Sequence, residues 1–304
     1  LVVSWFGSDL RCGESLIQPK VEQNELDSAE MPWVVNGLLR ADAGLVPVED
    51  DRPVYGGTPC DTSVIQSIRD MTAKGMDVLY YPFILMEQMP GNGLINPWTG
   101  EADQPKLPWR GRITGNAAPG QPGDVTGTSD IDDQVAAFFG DAALTDFEVT
   151  DGVISYSGAD EWRYRRFILH QAHLCAVAGG VHSFCIGSEM RSLTQLRGAS
   201  GFPAVAALRQ LAADCRAILG PDVKIGYAAD WSEYFGYQPQ DGSGDVYFHL
   251  DQLWADVNID FIGIDNYMRL SDWRDGDTHA DAAAGWESIY DLDYLTSNVA
   301  GGEG

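Results

Sequence analysis

Two short apolar segments of this chain stop abruptly on acidic and polar side chains. The segment SFCIGSEM ends its apolar run at Glu189, and the segment FIGIDNY ends at Asp265, Asn266 and Tyr267. Continuous hydrophobic runs of this length, between helical patterns, are typical of parallel strands buried on both faces. Because α/β enzymes keep their sites at the C-terminal edge of such a sheet, these side chains predict a site as well as a fold.

The other apolar patterns alternate between strand and helix along the chain. Strands are predicted at 2–6, 78–85, 184–187, 223–228 and 261–264, with one more within 31–39. Helices are predicted at 61–75, 160–178, 203–218 and 286–299. Strands that alternate with helices give right-handed crossovers and a parallel sheet. The predicted fold class is therefore α/β, a (β/α)8 TIM-barrel-like fold truncated after about six β/α units, since a closed barrel has eight.

The ends of the chain and one long segment bear on its domain organisation. The chain begins on a strand with Leu1 rather than Met, and its last helical pattern has no strand after it. We expect a single barrel domain over 1–304 that is a fragment of a longer polypeptide. Residues 88–130 are rich in Gly and Pro and show no apolar periodicity. A loop of this length in a compact domain is usually a functional lid or wall.

Charge and composition exclude several classes of partner. The formal net charge of −26 disfavours direct binding to nucleic acid or to an anionic membrane. No apolar run approaches the roughly 20 residues that span a bilayer, so no membrane insertion is expected. The cysteines have no metal-like spacing, and we expect buried free thiols. No cofactor is predicted.

Glu189 is the strongest candidate for chemistry. A partly desolvated carboxyl group at a sheet edge, near a second carboxylate, keeps its proton more readily and can act as a general acid. The alternative is a structural carboxylate tied to Arg191 or to an arginine of the long loop. Asp265, Asn266 and Tyr267 either bind substrate and orient a catalytic carboxylate, or simply cap the following loop.

Aromatic side chains fall at strand ends and in the loops that follow. Flat apolar rings with polar edges suit the stacking and hydrogen bonding that sugar rings require. Trp5, Trp109 and Trp231 are the aromatic residues for which we predict a role in binding sugars.

The pair His170 and His173 forms an H-x-x-H motif on a predicted helix, together with Arg163 and Arg166. These four residues predict a solvated basic stripe, because no acid or cysteine at suitable spacing supports a metal. No metal site is predicted.

Several long segments together resemble one known family. They are VVSWFG, YGGTPCDTSVI, YYPFILM, PWRGRIT, FCIGSEMRSLT, YAADWSEYFG, DGSGDVYFHLD and FIGIDNYMRLSDW. They resemble the TIM-barrel-like, glycoside-hydrolase-like domain of the large baseplate protein of gene transfer agents and related phage tails. The resemblance implies a phage-tail-like particle assembled in the bacterial cytoplasm, with other baseplate and tail proteins as partners.

More distantly, the motifs GSE, YAADW and GIDNY are similar to strands four, five and six of clan A retaining glycosidases. That similarity implies that Glu189 is the general acid/base and that Tyr267 holds the nucleophile. Ser188 stands where the clan commonly has Asn, and the nucleophilic glutamate of strand seven would lie beyond Gly304. Retention requires two carboxyl groups about 5–5.5 Å apart, of which the sequence supplies one.

The resulting expectation is a glycoside-hydrolase-like domain that hydrolyses or engages cell-envelope polysaccharide by a retaining two-carboxylate mechanism, provided that the nucleophile is present. The alternatives are a non-catalytic structural or glycan-binding barrel of the baseplate, and an independent secreted glycosidase. Glu189 is the expected catalytic residue. The expected substrate-binding residues are Trp5, Tyr81, Trp109, Arg110, Arg112, Tyr227, Asp230, Trp231, Asp265, Asn266 and Tyr267.

Overall fold

A computed structural model describes residues 1–267 and 270–301. The chain divides into two compact units, Leu1–Asp265 and Asn266–Gly304. Within the described ranges, no helix is long and apolar enough to cross a membrane.

The strands are β1 Val2–Gly7, β2 Ile17–Gln18, β3 Lys20–Val21, β4 Val34–Val35, β5 Leu38–Leu39, β6 Gly44–Leu45, β7 Val48–Glu49, β8 Arg52–Pro53, β9 Leu79–Met86, β10 Phe147–Thr150, β11 Val153–Tyr156, β12 Ser183–Ser188, β13 Lys224–Asp230 and β14 Phe261–Asp265. The helices are α1 Asp61–Ala73, α2 Ser129–Phe139, α3 Tyr164–Ala178, α4 Arg191–Thr194, α5 Pro203–Leu219, α6 Asp251–Trp254, α7 Ala280–Ala283 and α8 Leu292–Gly301. Short 3-10 turns lie at Arg40–Asp42, Arg110–Arg112 and Leu144–Asp146.

The main sheet of the first unit has the strand order β14-β13-β12-β9-β1-β2. Only β2 is antiparallel to its neighbour, and the other five strands run parallel. β12 is buried at every position, as expected for a strand covered on both faces. The α/β class with a parallel sheet is therefore confirmed. In the described part of the chain this sheet is open rather than closed into a barrel.

Residues 31–39 contain strands, but the prediction that they supply a strand of the main sheet is wrong. These residues form a hairpin of β4 and β5 instead, outside the main sheet. Its turn is Asn36–Gly37, with φ of 49° and 81°, and Asn-Gly is the pair that such turns favour. As a result β1 pairs directly with β9, and the described sheet has five parallel strands instead of the expected six.

Most of the other elements lie close to their predicted positions. The helices predicted at 61–75 and 203–218 are α1 and α5, and Gly75 ends the first with a φ of 75°. The last predicted helix, 286–299, begins later, at Leu292. α2 and the hairpin of β10 and β11 were not predicted.

The helix that carries the H-x-x-H motif, α3, is more deeply buried than its sequence suggested. α3 contacts both α1 and α5 and lies against the sheet. His170 is fully buried, with Nε2 2.8 Å from Oδ1 of Asp61. Arg166 is also buried, with its guanidinium 3.7 Å from the ring centre of Trp162. The predicted solvated stripe is therefore wrong, because His170 pairs with Asp61 and Arg166 donates to Asn36, both in the interior.

Trp5 does not belong to a binding surface. Its exposed fraction is 0%, and its ring packs against Phe167 and Trp162, with centroid distances of 4.9 and 5.6 Å. The prediction that Trp5 binds substrate is wrong, because its side chain points into the layer between β1 and α3.

Candidate active site

Glu189 lies immediately after β12, at the C-terminal edge of the parallel sheet. Its backbone N–H donates to the carbonyl oxygen of Ala228 on β13, at 2.8 Å. Its φ is 48°, in the left-handed region that residues other than glycine rarely occupy. Such backbone conformations cost energy and cluster at functional sites. The side chain is 4% exposed, so this carboxyl group is almost fully enclosed.

Two residues of the long segment bind the same carboxylate oxygen of Glu189. Trp109 donates its indole N–H to Oε2 at 2.8 Å, and Nη2 of Arg110 lies 3.1 Å from Oε2. Trp109 is 37% exposed, so its ring covers the carboxyl group on the solvent side. That this segment forms one wall of a binding cleft stays a prediction.

Arg110 is held in place by the end of β12 and by an aromatic ring. Its Nε donates to the carbonyl oxygen of Ser188 and its Nη2 to Oγ of Ser188, both at 2.9 Å. Its guanidinium lies 3.8 Å from the ring centre of Phe83 on β9. The hydroxyl of Ser188, which stands where clan A enzymes commonly have Asn, is therefore engaged by Arg110.

The glycine after Arg110 allows Trp109 to fold back over the site. A Cβ atom at Gly111 would lie 2.3 Å from Cζ2 of the Trp109 ring, closer than any real contact. Gly111 has no positive φ, so this position requires glycine for space and not for backbone conformation. The sequence PWRGRIT therefore encodes the covering position of Trp109.

Asp265, at the end of β14, completes a network with Glu189. Tyr81 donates its hydroxyl to Oδ2 of Asp265 at 2.7 Å. Burial raises the pKa of Glu189, and the negative charge of Asp265 raises it further. Trp109 and Arg110 act in the opposite direction without cancelling this rise.

Oε1 of Glu189 is buried and has no hydrogen-bond partner among the residues that the structure describes. A proton on Glu189 removes the repulsion between its charge and the negative charge of Asp265. We call Glu189 and Asp265 the carboxyl pair, in which Glu189 keeps its proton to a higher pH than an isolated glutamate does.

A second buried acidic residue, Glu233, forms hydrogen bonds with residues near this edge of the sheet. Its Oε1 accepts hydrogen bonds from Tyr227 at 2.9 Å and from Thr194 at 2.7 Å, and its Oε2 accepts one from the backbone of Asp230 at 3.1 Å. The Tyr227 hydroxyl in turn accepts from the backbone N–H of Met190, next to Glu189. Burial raises the pKa of Glu233 to about 7.

The sequence analysis did not single out Glu233. The available signal was an acid three residues after the end of a buried strand, in the segment YAADWSE. The same network explains why Tyr227, predicted to bind substrate, is instead fully buried. Its hydroxyl group donates to Glu233 and accepts from Met190, so the prediction that Tyr227 binds substrate is wrong.

The remaining predicted residues lie outside the carboxyl pair. Asp230 is buried and accepts hydrogen bonds from the backbone and hydroxyl of Ser232. Trp231 is 42% exposed, and its backbone N–H donates to the carbonyl oxygen of Asp265. Arg112 is exposed and lies 5.1 Å from the ring centre of Trp98. Asn266 and Tyr267 are exposed and begin the second unit.

A cavity of about 480 Å³ lies beyond the ends of β12 and β13. Arg191 and Ser192, which line it, follow Glu189 closely in the chain, and Ser232 and Tyr237 follow Asp230. Its volume is within the range of small-ligand sites, which is roughly 300–1,000 Å³.

Fold and site together define an α/β protein whose parallel sheet carries a protonatable carboxyl pair at its C-terminal edge. Residues 162–304 match the family described as the GTA (gene transfer agent) TIM-barrel-like domain. The match confirms the resemblance predicted from the motifs over this range, which includes Glu189 and Asp265. It does not extend to the segment that carries Trp109 and Arg110. A comparison with curated proteins gives no significant match.

The strand count differs from the clan A pattern. Glu189 ends the third parallel strand of the sheet, counted from β1 through β9 to β12, and not the fourth. The hairpin at Asn36–Gly37 is the reason, because it leaves no strand between β1 and β9.

Proposed function

We propose that this chain is the glycoside-hydrolase-like part of a gene transfer agent or phage-tail baseplate protein, and that it acts on cell-envelope polysaccharide. Glu189 is the proton donor to the glycosidic oxygen. The observation that carries the proposal is the burial of Glu189 beside Asp265, because this environment raises the pKa of the carboxyl group and so favours its acid form. The cavity lined by Arg191 and Ser192, which follow Glu189 in the chain, has aromatic and amide side chains that suit a sugar chain.

Asp265 has a different role from that of a nucleophile in this proposal. The negative charge of Asp265 raises the pKa of Glu189, so in this proposal Asp265 acts by helping to keep the proton on Glu189. Its own carboxyl group is held by the hydroxyl of Tyr81, at 2.7 Å.

One observation favours the second candidate, a glycan-binding barrel without catalysis. Trp109 and Arg110 both occupy Oε2 of Glu189, and the side chain is 4% exposed. A general acid must reach its substrate, so catalysis requires the Trp109 ring to move away. In a purely binding domain the same contacts would be permanent and structural.

The release of reducing sugar from purified envelope glycans separates the two candidates. The assay compares this protein with its Glu189→Gln variant, which keeps the size of the side chain and removes the acid. Glu148→Gln is the matched control, because Glu148 is an exposed carboxylate on β10. The proposal predicts loss of turnover in Glu189→Gln alone. Equal release by all three proteins would remove the catalytic role of Glu189, and release by none would leave only the binding role.

A further inference from the structure

The 480 Å³ cavity has an unusual lining for so acidic a chain. The chain has 45 acidic and 19 basic residues, yet none of the residues that line this cavity is an aspartate or a glutamate. The one charged residue in the lining is Arg191. Apart from Pro119 and Gly236, the remaining side chains are aromatic or carry neutral polar groups, among them Trp98, Tyr237 and Gln240.

Arg191 has no counter-charge within the described part of the chain. Its Nε is buried without an acceptor, and it forms no ion pair with a described carboxylate. The nearby His249 supplies no negative charge. Burial, followed by the positive charge of Arg191, lowers the pKa of His249 to about 4, so this ring is neutral at pH 7. A guanidinium that faces a cavity without a carboxylate is suited to a ligand that brings one.

The aromatic ring at the rim of the cavity is held for stacking. Trp98 donates its indole N–H to the carbonyl oxygen of Arg112 at 3.0 Å, which fixes the plane of the ring. The guanidinium of Arg112 lies 5.1 Å from the centre of the same ring and adds a second positive charge. Aromatic faces stack on sugar rings, and glutamine side chains donate to and accept from hydroxyl groups.

We infer that this cavity is a subsite for a carboxylate-bearing sugar, such as a hexuronate unit of an envelope polysaccharide. Arg191 pairs with the sugar carboxylate, Trp98 stacks on the ring, and Gln238 and Gln240 bind hydroxyl groups. The inference rests on the proposed function, and it names the class of sugar that enters beside Glu189. It assigns Arg191 to recognition and not to proton transfer.

Binding of a matched pair of ligands tests this subsite without any turnover. The probes are tetragalacturonate and its full methyl ester, which share every ring and hydroxyl group and differ in charge. Calorimetry on the 304-residue chain should show the acid form bound about tenfold more tightly than the ester, as expected for one charge-assisted pair. Inorganic sulfate at equal concentration should not displace it, because a free anion lacks the sugar ring.

Three variants identify the residues involved. Arg191→Gln should bind the two forms equally, and Arg191→Lys should retain part of the preference for the acid. Trp98→Ala should weaken both forms alike, since stacking does not depend on charge. Arg52→Gln is the control, because Arg52 is an exposed arginine on β8 and should behave as wild type. Thermal melting verifies that each variant is folded.

Three outcomes would overturn the subsite: no saturable binding of either form, equal binding of both by the wild type, or an unchanged preference in Arg191→Gln. Displacement by sulfate would reduce it to a general anion site. These outcomes are separate from the catalytic question. Acid-selective binding that depends on Arg191, with no sugar release, would support the subsite and contradict the proposed hydrolysis. Hydrolysis without a preference for the acid form of the sugar would support the proposed hydrolysis and contradict the subsite.

Discussion

The indole N–H of Trp109 donates to Oε2 of Glu189 at 2.8 Å, although 80 positions separate the two residues in the chain. A surface tryptophan thus reports directly on a buried carboxyl group. This contact joins the long segment after β9 to the end of β12, and it covers the side chain that we propose as the proton donor.

The Trp109 indole resonance should titrate with Glu189. Ionisation of Glu189 strengthens the hydrogen bond from Trp109 and shifts the indole proton, so a pH series of nitrogen–proton spectra gives the midpoint. We expect this midpoint above the ordinary glutamate value, because burial and Asp265 raise the pKa. Asp265→Asn should lower it by removing the negative charge. The resonance is assigned with Trp109→Phe, and an unmoved midpoint in Asp265→Asn would contradict the carboxyl pair.

Gly111→Ala should expel the Trp109 ring from Glu189. The added methyl group would lie 2.3 Å from the ring, and backbone strain is not involved. We expect loss of the shifted indole resonance and greater quenching of tryptophan fluorescence by acrylamide. Gly56→Ala is the matched control, because nothing lies within 4 Å of a Cβ at Gly56. If substrate must displace the Trp109 ring from Glu189, Gly111→Ala should also lower the KM for glycan. An unchanged indole resonance in this variant would show that other contacts hold the ring over Glu189.

Glu233 should make the protein less stable as the pH rises towards neutrality. Its pKa is raised from 4.5 to about 7 by burial, so the folded state binds the proton more tightly than the unfolded chain. The stability linked to this proton is complete below about pH 4.5 and is lost as the pH rises through 7. The difference amounts to something on the order of 3 kcal/mol in the free energy of unfolding.

Glu233→Gln isolates this contribution. We expect the urea-derived stability of the variant to fall less than that of the wild type between pH 5 and pH 8. His249, with a pKa lowered to about 4, makes stability rise with pH below its ordinary value of 6.5, but it does so in both proteins. Parallel stability curves for the two proteins would mean that Glu233 keeps its charge at all these pH values.

Trp5→Ala should destabilise the fold rather than affect a binding site. Removing a fully buried tryptophan from the layer between β1 and α3 should cost about 3–5 kcal/mol in unfolding free energy. Trp231→Ala, at a side chain that is 42% exposed, should cost about 1 kcal/mol or less. Urea unfolding of the two variants measures this contrast. Equal costs would contradict the assignment of Trp5 to the core.

Local patterns were sufficient for much of the fold. The apolar runs at 183–188 and 261–265 identified the parallel strands, and the residues that end them, Glu189 and Asp265, lie together in the network. The reason is that parallel strands bring their carboxyl ends to one edge, whatever the connections between them. The family resemblance, confirmed over 162–304, came from the same motifs.

Other features depended on contacts that no local pattern contains. The sequence predicts that β1 is buried. Because a strand covered on both faces is apolar throughout, its pattern does not show on which face Trp5 lies. Tyr227 ends in the interior because Glu233 and Met190 use its hydroxyl group. The Asn36–Gly37 turn, in contrast, was a readable signal, and it outweighed the apolar residues around it.

The sequence alone was enough to place an acid at the end of a buried strand, because hydrophobic period and strand ends are local properties of the chain. The raised pKa of Glu189, the position of the Trp109 ring over it and the cavity lined by Arg191 arise only in the folded molecule. Glu189 acquires its raised pKa from burial and from Asp265 on β14, and its cover from Trp109, which lies outside the strands. Electrostatic interactions depend on distance in space and on exclusion of water, and both are properties of packing between distant segments.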